Sequence, residues 1–173
     1  MPFRVLFLCT HNSARSIMFA SALNGVGGER FEARSAGSQP AGTVNPLALA
    51  ELSRRGLPTD DARSKSWDEF TSPDAPAFDL VVTVCDSAAS EACPVFFGDF
   101  AKAHWGLPDP SAVTGGAVAV ETAFRRTAGV VIARAQALAA LPVESMDRSA
   151  LQQALAVIEA SHPAVPLEGG KHV

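Results

Sequence analysis

The segment RVLFLCTHNSARS, residues 4–16, joins two patterns of side chains that decide the fold. Residues 4–9 are a short apolar run rich in strand formers, which is typical of a strand buried on both faces. Residues 10–14 are small or polar, and beyond them apolar side chains recur at helical spacing. The segment therefore predicts a buried strand that turns directly into a helix, with Cys9 at the end of the strand and Arg15 just past the turn.

The same alternation of strands and helices continues along the chain. Further strands are predicted at residues 30–37, 78–86 and 101–110, and helices at residues 14–25, 44–57 and 117–141, with one more around Leu151, Leu155 and Ile158. The first helix is predicted to stop at Gly25, and the second to begin with Asn45 as its cap and Pro46 as its first residue. Strands that alternate with helices predict an α/β fold, with a parallel sheet covered on both faces.

The turn after the first strand has the features of an anion-binding loop. Ligands bind at the carboxyl edge of an open α/β sheet, where Cys9 is predicted to lie. The backbone N–H groups of the turn and the start of the next helix attract an oxyanion, and the planar guanidinium of Arg15 can hold two of its oxygens. A thiol in this field is expected to ionise more readily than usual, which makes Cys9 a candidate nucleophile, with Ser16 placed to donate a hydrogen bond to its thiolate. The residues predicted to surround the oxyanion are Thr10, His11, Asn12, Ser13, Ala14 and Arg15.

The composition of the chain limits the classes of protein to which it can belong. Its 173 residues, 47% hydrophobic and 18% charged, are enough for one folded domain with a sizeable core. The net charge is −4 and the basic residues are scattered, so neither nucleic acid nor a membrane is an expected partner. Three cysteines without a CxxC pair argue against a disulfide framework, and the N-terminus is a poor secretory signal. We therefore expect a cytoplasmic protein with no bound cofactor.

Two motifs resemble those of a known family. LFLCTHNSARS, residues 6–16, is similar to the active-site loop of the low-molecular-weight protein tyrosine phosphatase superfamily, which includes arsenate reductases built on the same scaffold. LPDPS, residues 107–111, places Asp109 at the position of the family's general acid. The resemblance implies a four-stranded parallel sheet with helices on both faces over residues 1–141. Residues 142–173 then form a helical extension with a frayed tail.

The cysteines and the aromatic residues favour the arsenate reductase branch of this family. The phosphatases grip a phosphotyrosine ring with aromatic residues, usually tyrosines, and this chain has no tyrosine. HWGLPDP, residues 104–110, and the two further cysteines, Cys85 and Cys93, resemble the arsenate reductases coupled to thioredoxin. The resemblance implies that Cys9 attacks arsenic, that Cys85 releases arsenite by forming a disulfide with Cys9, and that Cys93 then forms a disulfide with Cys85. Thioredoxin, glutathione with glutaredoxin, or mycothiol would restore the thiols.

Two other classes of function stay open from the sequence. A phosphatase would use Cys9 to form a phosphocysteine and Asp109 to protonate the leaving group of a phosphomonoester. A non-catalytic oxyanion-binding or redox-sensing module would keep the loop without turnover. Cys85 and Cys93 favour the reductase over the phosphatase, because hydrolysis needs neither thiol. A zinc site made of these two cysteines and His104 matches no usual ligand spacing, so no metal is expected.

Overall fold

The computed structural model of the chain describes residues 1–85 and 99–167. The strands β1 (Phe3–Cys9), β2 (Phe31–Gly37), β3 (Leu80–Thr83) and β4 (Ala101–His104) form a parallel sheet in the order β2-β1-β3-β4. The α-helices in these residues are α1 (Arg15–Gly27), α2 (Pro46–Arg54), α3 (Ala117–Ala139) and α4 (Arg148–Ser161), and shorter 3₁₀ helices include Trp67–Phe70 and Pro110–Ala112. The predicted four-stranded parallel α/β fold is confirmed.

The central strand β1 is buried on both faces. Because side chains alternate along a strand, Val5 and Phe7 pack into the larger core, to which all four α-helices contribute. Leu6 and Leu8 point to the opposite face, where the short helix Trp67–Phe70 helps to close a second core. This two-sided burial explains why the first strand is apolar at consecutive positions and not at alternate ones.

The predicted start of α2 is confirmed, whereas the predicted end of α1 is wrong. Oδ1 of Asn45 accepts a hydrogen bond from the N–H of Leu47 at 2.9 Å, and Pro46 is the first helical residue. Helix α1 passes through Gly25 without ending there. A Cβ at Gly25 would lie 2.6 Å from Cδ2 of Leu57, so this glycine permits close packing between α1 and the segment after α2.

Helix α4 shares the core of the sheet. Its buried residues Leu151, Leu155 and Ile158 belong to the same cluster as the side chains of β1. The division of the chain at residue 141 into a catalytic domain and an extension stays a prediction, but the extension and the sheet are packed together. Among the helices of the described residues, none combines the length and the apolar character that crossing a membrane requires.

Candidate functional site

The loop of residues 10–14 connects the end of β1 to the start of α1 at the carboxyl edge of the sheet. Its carbonyl groups accept hydrogen bonds from the segment after β2: Gln39 N–H donates to Thr10 O at 2.9 Å, Ala41 N–H to His11 O at 2.9 Å, and Asn45 N–H to Ser13 O at 2.8 Å. The C=O and N–H of a trans peptide point in opposite directions, so the next N–H after each of these carbonyls turns away from that segment. The N–H of His11, for example, donates to the sulfur of Cys9. Loop N–H groups that turn away from the supporting segment, with one of them acting on the sulfur, suit an oxyanion held beside Cys9.

Asn12 ties the loop to two neighbouring segments. Its φ is +44°, a left-handed conformation that asparagine tolerates better than most residues, and its side chain is fully buried. Nδ2 donates to Oγ of Ser16 at 2.8 Å, and Oδ1 accepts from the backbone N–H of Lys65 at 2.8 Å. Asn12 therefore fixes the shape of the loop from its inner side.

Gly37, at the end of β2, allows the loop to lie against the neighbouring strand. A Cβ at this position would lie 2.5 Å from the carbonyl oxygen of Thr10 and 2.7 Å from that of Cys9. Both contacts are to backbone atoms, which cannot rotate away as a flexible side chain can. Sequence reasoning identified Gly37 only as the end of a strand, yet the position of the loop depends on its having no side chain.

Cys9 and Cys85 are both free thiols and both buried, and the Cys85 side chain is the largest influence on the pKa of Cys9. β1 ends at Cys9, and its neighbour in the sheet, β3, ends at Thr83, two residues before Cys85, so both cysteines lie at the carboxyl edge of the sheet. Oγ1 of Thr10 also lies 3.6 Å from Sγ of Cys85, at hydrogen-bonding distance for sulfur. The structure thus brings together a loop residue and two of the three cysteines singled out in the sequence.

The acidity of Cys9 differs from the expectation. The hydrogen bond with the Cys85 side chain is the largest influence and raises the pKa of the Cys9 thiol, and burial raises it further. The guanidinium of Arg15 and the N–H of His11 lower the pKa, as expected for this loop, but they do not outweigh the other two effects. In the substrate-free pair of thiols, Cys9 therefore holds its proton more tightly than an ordinary cysteine.

Arg15 is held over the loop by the segment that follows β4. Its Nη1 donates to the carbonyl oxygen of Leu107 at 2.8 Å, and its Nη2 lies 3.8 Å from Oδ2 of Asp109. Oδ1 of Asp109 accepts from both the N–H and the hydroxyl of Ser111, at 2.9 and 2.7 Å. One oxygen of Asp109 thus caps the short helix Pro110–Ala112, and the other faces the guanidinium.

Lys65 is a buried cation next to the loop. Its Nζ donates to Oγ of Ser35 at 3.2 Å and to the carbonyl oxygen of Arg63 at 2.9 Å, and only 7% of the residue is exposed. Burial lowers the pKa of Lys65 to about 8, and the nearby charge of Arg63 adds to this effect. The backbone N–H of Lys65 also donates to the side chain of Asn12, so the residue that carries this cation is hydrogen-bonded directly to the loop.

Ser16 and His11, two further residues singled out in the sequence, have side chains that are hydrogen-bonded to residues other than Cys9. Ser16 is fully buried and its Oγ accepts from Asn12, but no hydrogen bond to Cys9 is observed. His11 turns its ring towards the carbonyl oxygen of Gln39, with 3.3 Å between that oxygen and Nδ1. Cys93 lies outside the described residues. Within residues 1–85 and 99–167, no group of His, Cys, Asp and Glu is arranged to hold a metal ion.

Sequence reasoning missed Gly37, Lys65 and Leu107. Lys65 and Leu107 act on the loop through backbone groups, the N–H of one and the C=O of the other, which every residue type can supply. No pattern of side chains could have indicated them.

Comparison with known proteins relates the whole of this site to one family. The family described as low molecular weight phosphotyrosine protein phosphatase matches residues 4–154. An arsenate reductase of Halalkalibacterium halodurans is 34% identical over 122 residues, which are 70% of this chain and 84% of that protein. The crystal structure of an arsenate reductase from Archaeoglobus fulgidus has a TM-score of 0.61 and 30% identity, and the match covers 79% of this chain and 99% of that one. The thioredoxin-dependent arsenate reductase of Corynebacterium glutamicum has a TM-score of 0.53 and 30% identity, over 76% of this chain and 58% of that one.

Proposed function

Because the chain belongs to the low molecular weight phosphotyrosine protein phosphatase family, we propose that it binds arsenate in the loop of residues 9–15 and reduces it to arsenite. The observation that favours reduction over hydrolysis is a pair of free, buried thiols at one edge of the sheet: Cys9 ends β1, and Sγ of Cys85 lies 3.6 Å from Oγ1 of the next residue, Thr10. Reduction of As(V) to As(III) needs two electrons, and two thiols that become a disulfide supply them. The arsenate reductases among its relatives support the same reaction.

Binding of the oxyanion depends on Arg15 and on the N–H groups of the loop. One side of the guanidinium is already held by the carbonyl of Leu107, so the side chain loses little freedom when an anion arrives. Within the described part of the chain, Nη2 has only the long contact to Asp109, so it is available to an oxygen of the anion. Because Arg15 is 7% exposed, its charge acts on the anion with little screening by solvent.

The first chemical step joins Cys9 to arsenic. The sulfur of Cys9 attacks the arsenic, an S–As bond forms, and an As–O bond breaks. The thiol proton leaves with the displaced hydroxyl group as water, so the arsenic stays in the As(V) state.

The second step is the reduction. The sulfur of Cys85 attacks the sulfur of Cys9, an S–S bond forms, and the electron pair of the S–As bond stays on arsenic, which leaves as As(III). The proton of Cys85 passes to an oxygen of the departing arsenite. The placement of Cys85 supports this step, because its Sγ lies 3.6 Å from Oγ1 of Thr10, the residue next to Cys9.

Regeneration of the thiols completes the cycle. Cys93 attacks Cys85, a Cys85–Cys93 disulfide replaces the first one, and a thioredoxin-like reductant reduces it. The thioredoxin-dependent relative from C. glutamicum supports thioredoxin ahead of glutathione with glutaredoxin, or mycothiol. A cycle that runs through free thiols fits the reducing conditions of the cytoplasm.

Replacement of Cys93 tests this sequence of steps. In Cys93→Ser, one equivalent of arsenite per enzyme should form and turnover should then stop, with a Cys9–Cys85 disulfide visible by peptide mass spectrometry. Cys85→Ser should stop earlier, before arsenite is released. Multiple turnover by Cys93→Ser with thioredoxin as the only reductant would show that Cys93 is not part of the cycle. Multiple turnover by Cys85→Ser as well would show that arsenite is released without a disulfide between Cys9 and Cys85.

Hydrolysis of phosphomonoesters is the second candidate, and the position of Asp109 favours it. The carboxyl group of Asp109 lies 3.8 Å from Nη2 of Arg15, and in its protonated form it would donate a proton to a leaving oxygen held there. Phosphate and arsenate have the same shape and charge, so attack by Cys9 is common to both reactions. Rapid hydrolysis of an aryl phosphate together with no arsenate reduction under any reductant would make the phosphatase the main function.

A further inference from the structure

Arg134 is a buried arginine that the proposed chemistry does not use. It lies within α3, only 1% of it is exposed, and it donates to two main-chain carbonyls on different parts of the chain. Nε donates to His162 O at 2.9 Å, at the end of α4, and Nη1 donates to Trp105 O at 3.1 Å, directly after β4. One guanidinium thus connects three parts of the fold: α3, the end of α4, and the segment after β4.

Trp105 connects α4 to the same segment a second time. Its indole is 1% exposed, and Nε1 donates to the carbonyl oxygen of Leu155, within α4, at 3.1 Å. Its backbone N–H donates to Thr83 O at 2.8 Å, which continues the pairing of β3 with β4. Trp105 is therefore fixed on one side by the sheet and on the other by α4.

The segment that begins at Trp105 carries the groups that hold Arg15. Leu107 supplies the carbonyl that accepts from Nη1, and Asp109 faces Nη2. Pro108 and Pro110 flank the acid, and each proline fixes one backbone torsion. Of the two prolines only Pro108 lies between Trp105 and Asp109, but the N–H of Leu107 also donates to Val84 O at 3.1 Å, so this short stretch is held against the end of β3 at both Trp105 and Leu107.

We infer that Arg134 and Trp105 are positioning residues, through which α4 sets the placement of Asp109 and Arg15 beside the loop of residues 10–14. This inference rests on the proposed function, because it assigns to Asp109 the protonation of a leaving group. It also gives the C-terminal helix a role at the site, although none of its residues reaches the loop. A displacement of about 1 Å at a reacting group can cost up to about 100-fold in rate, so this indirect support is enough to matter.

Hydrolysis of two aryl phosphates separates positioning from stability. Phenyl phosphate has a poor leaving group that needs a proton, whereas the leaving group of p-nitrophenyl phosphate needs almost none. In Trp105→Phe, which keeps a ring but loses the N–H, and in Arg134→Met, kcat on phenyl phosphate should fall about tenfold or more, with a much smaller fall on p-nitrophenyl phosphate. Arg134→Lys, which keeps the charge and one donor group, should recover part of the loss.

Arg30 offers a matched control. It also donates to main-chain carbonyls near the end of α3, those of Ala139 and Leu141, but it has no contact with the segment after β4. Arg30→Met should therefore leave the ratio of the two rates unchanged. An equal loss on both substrates in Trp105→Phe and Arg134→Met, or the same loss in Arg30→Met, would overturn the inference. If Arg134→Met does not fold, Trp105→Phe carries the test alone.

A third measurement keeps this test separate from the proposed function. If the wild-type chain hydrolyses neither substrate, the hydrolase role of Asp109 fails, and the affinity for inorganic phosphate then reports on Arg15 alone. That affinity should fall several-fold in Trp105→Phe, because the carbonyl that holds Arg15 moves. An unchanged phosphate affinity, in a variant as well folded as the wild type, would show that α4 does not position the site.

Discussion

Arg15 and Asp109 face each other beside the loop of residues 10–14, with 3.8 Å between Nη2 of the arginine and Oδ2 of the aspartate. This is a long contact for an ion pair, and both partners have shorter hydrogen bonds elsewhere: Arg15 to Leu107, and Asp109 to Ser111. An arriving oxyanion therefore meets a guanidinium that is oriented but only loosely paired.

Asp109→Asn should separate the two reactions proposed for this site. The amide cannot donate a proton to a leaving oxygen as a carboxylic acid does, so hydrolysis of phenyl phosphate should fall by a factor of about 100 or more. Arsenate reduction should fall much less, because its later steps are thiol exchange. Steady-state rates of both reactions on the same preparation check this, and equal losses would contradict the division of roles.

Cys85→Ala should make Cys9 more acidic. The hydrogen bond with Cys85 is the largest influence that raises the pKa of Cys9, and alanine removes it, whereas Arg15 and the N–H of His11 remain and lower the pKa. The pH at which Cys9 is half-alkylated by iodoacetamide, followed by mass spectrometry of its peptide, should move downwards. Cys85→Ser is the matched control: its hydroxyl keeps a hydrogen-bonding group, so its shift should be smaller. An unchanged midpoint in Cys85→Ala would show that the contact does not govern this thiol.

Lys65→Met should change how stability depends on pH. The pKa of Lys65 is about 8 in the folded chain against an ordinary value of 10.5, so between these two values the unfolded chain binds more protons than the folded one. The free energy of unfolding of the wild type should therefore rise with pH in this window, by at most about 3 kcal/mol. Methionine does not titrate, so this rise should be absent from the variant.

Urea unfolding at pH 7, 8, 9 and 10 measures this effect. Groups that titrate in both proteins, the cysteines among them, cancel in the difference between wild type and variant. Arg63, Glu69, Arg34 and Asp61 all act on the ammonium group and are unchanged by the substitution. A difference in stability that stays constant from pH 7 to pH 10 would contradict the lowered pKa of Lys65.

Gly37→Ala should displace the loop of residues 10–14. The new Cβ would lie within 2.7 Å of two backbone carbonyl oxygens, so the loop must move and phosphate affinity should fall about tenfold or more, with a loss of stability of about 1–3 kcal/mol. Gly129→Ala is the control, because a Cβ there meets no atom within 4 Å and alanine suits the interior of α3. Calorimetric titration with inorganic phosphate measures both variants. Wild-type affinity in Gly37→Ala would show that the loop tolerates the crowding.

The sequence predicted the parts of this molecule that depend on side-chain patterns. Consecutive apolar residues in β1 predicted burial on both faces, and the strand-to-helix pattern predicted that Cys9 would lie at the carboxyl edge of the sheet. What it could not predict was the influence of Cys85 on the acidity of Cys9. The pKa of Cys9 was expected to fall because the loop and Arg15 favour a thiolate, but the influence of Cys85, together with burial, raises it instead.

Contacts made by the backbone also escaped prediction. The N–H of Lys65 and the C=O of Leu107 hold the two side chains that shape the site, Asn12 and Arg15, and any residue could supply those groups. Gly25 was misjudged for a different reason. Glycine both ends helices and permits close packing, and only the tertiary contact with Leu57 decides between the two.

The adjacency of β1 and β3 has a topological consequence for the proposed cycle. A bond between Cys9 and Cys85 would close a covalent ring of about 75 residues, which lowers the entropy of the unfolded chain by an amount worth about 4 kcal/mol. The oxidised intermediate would then be the form most resistant to heat, and the reduced enzyme that awaits substrate the least resistant. In each turnover this covalent ring would form when arsenite is released and open again when the thiols are restored.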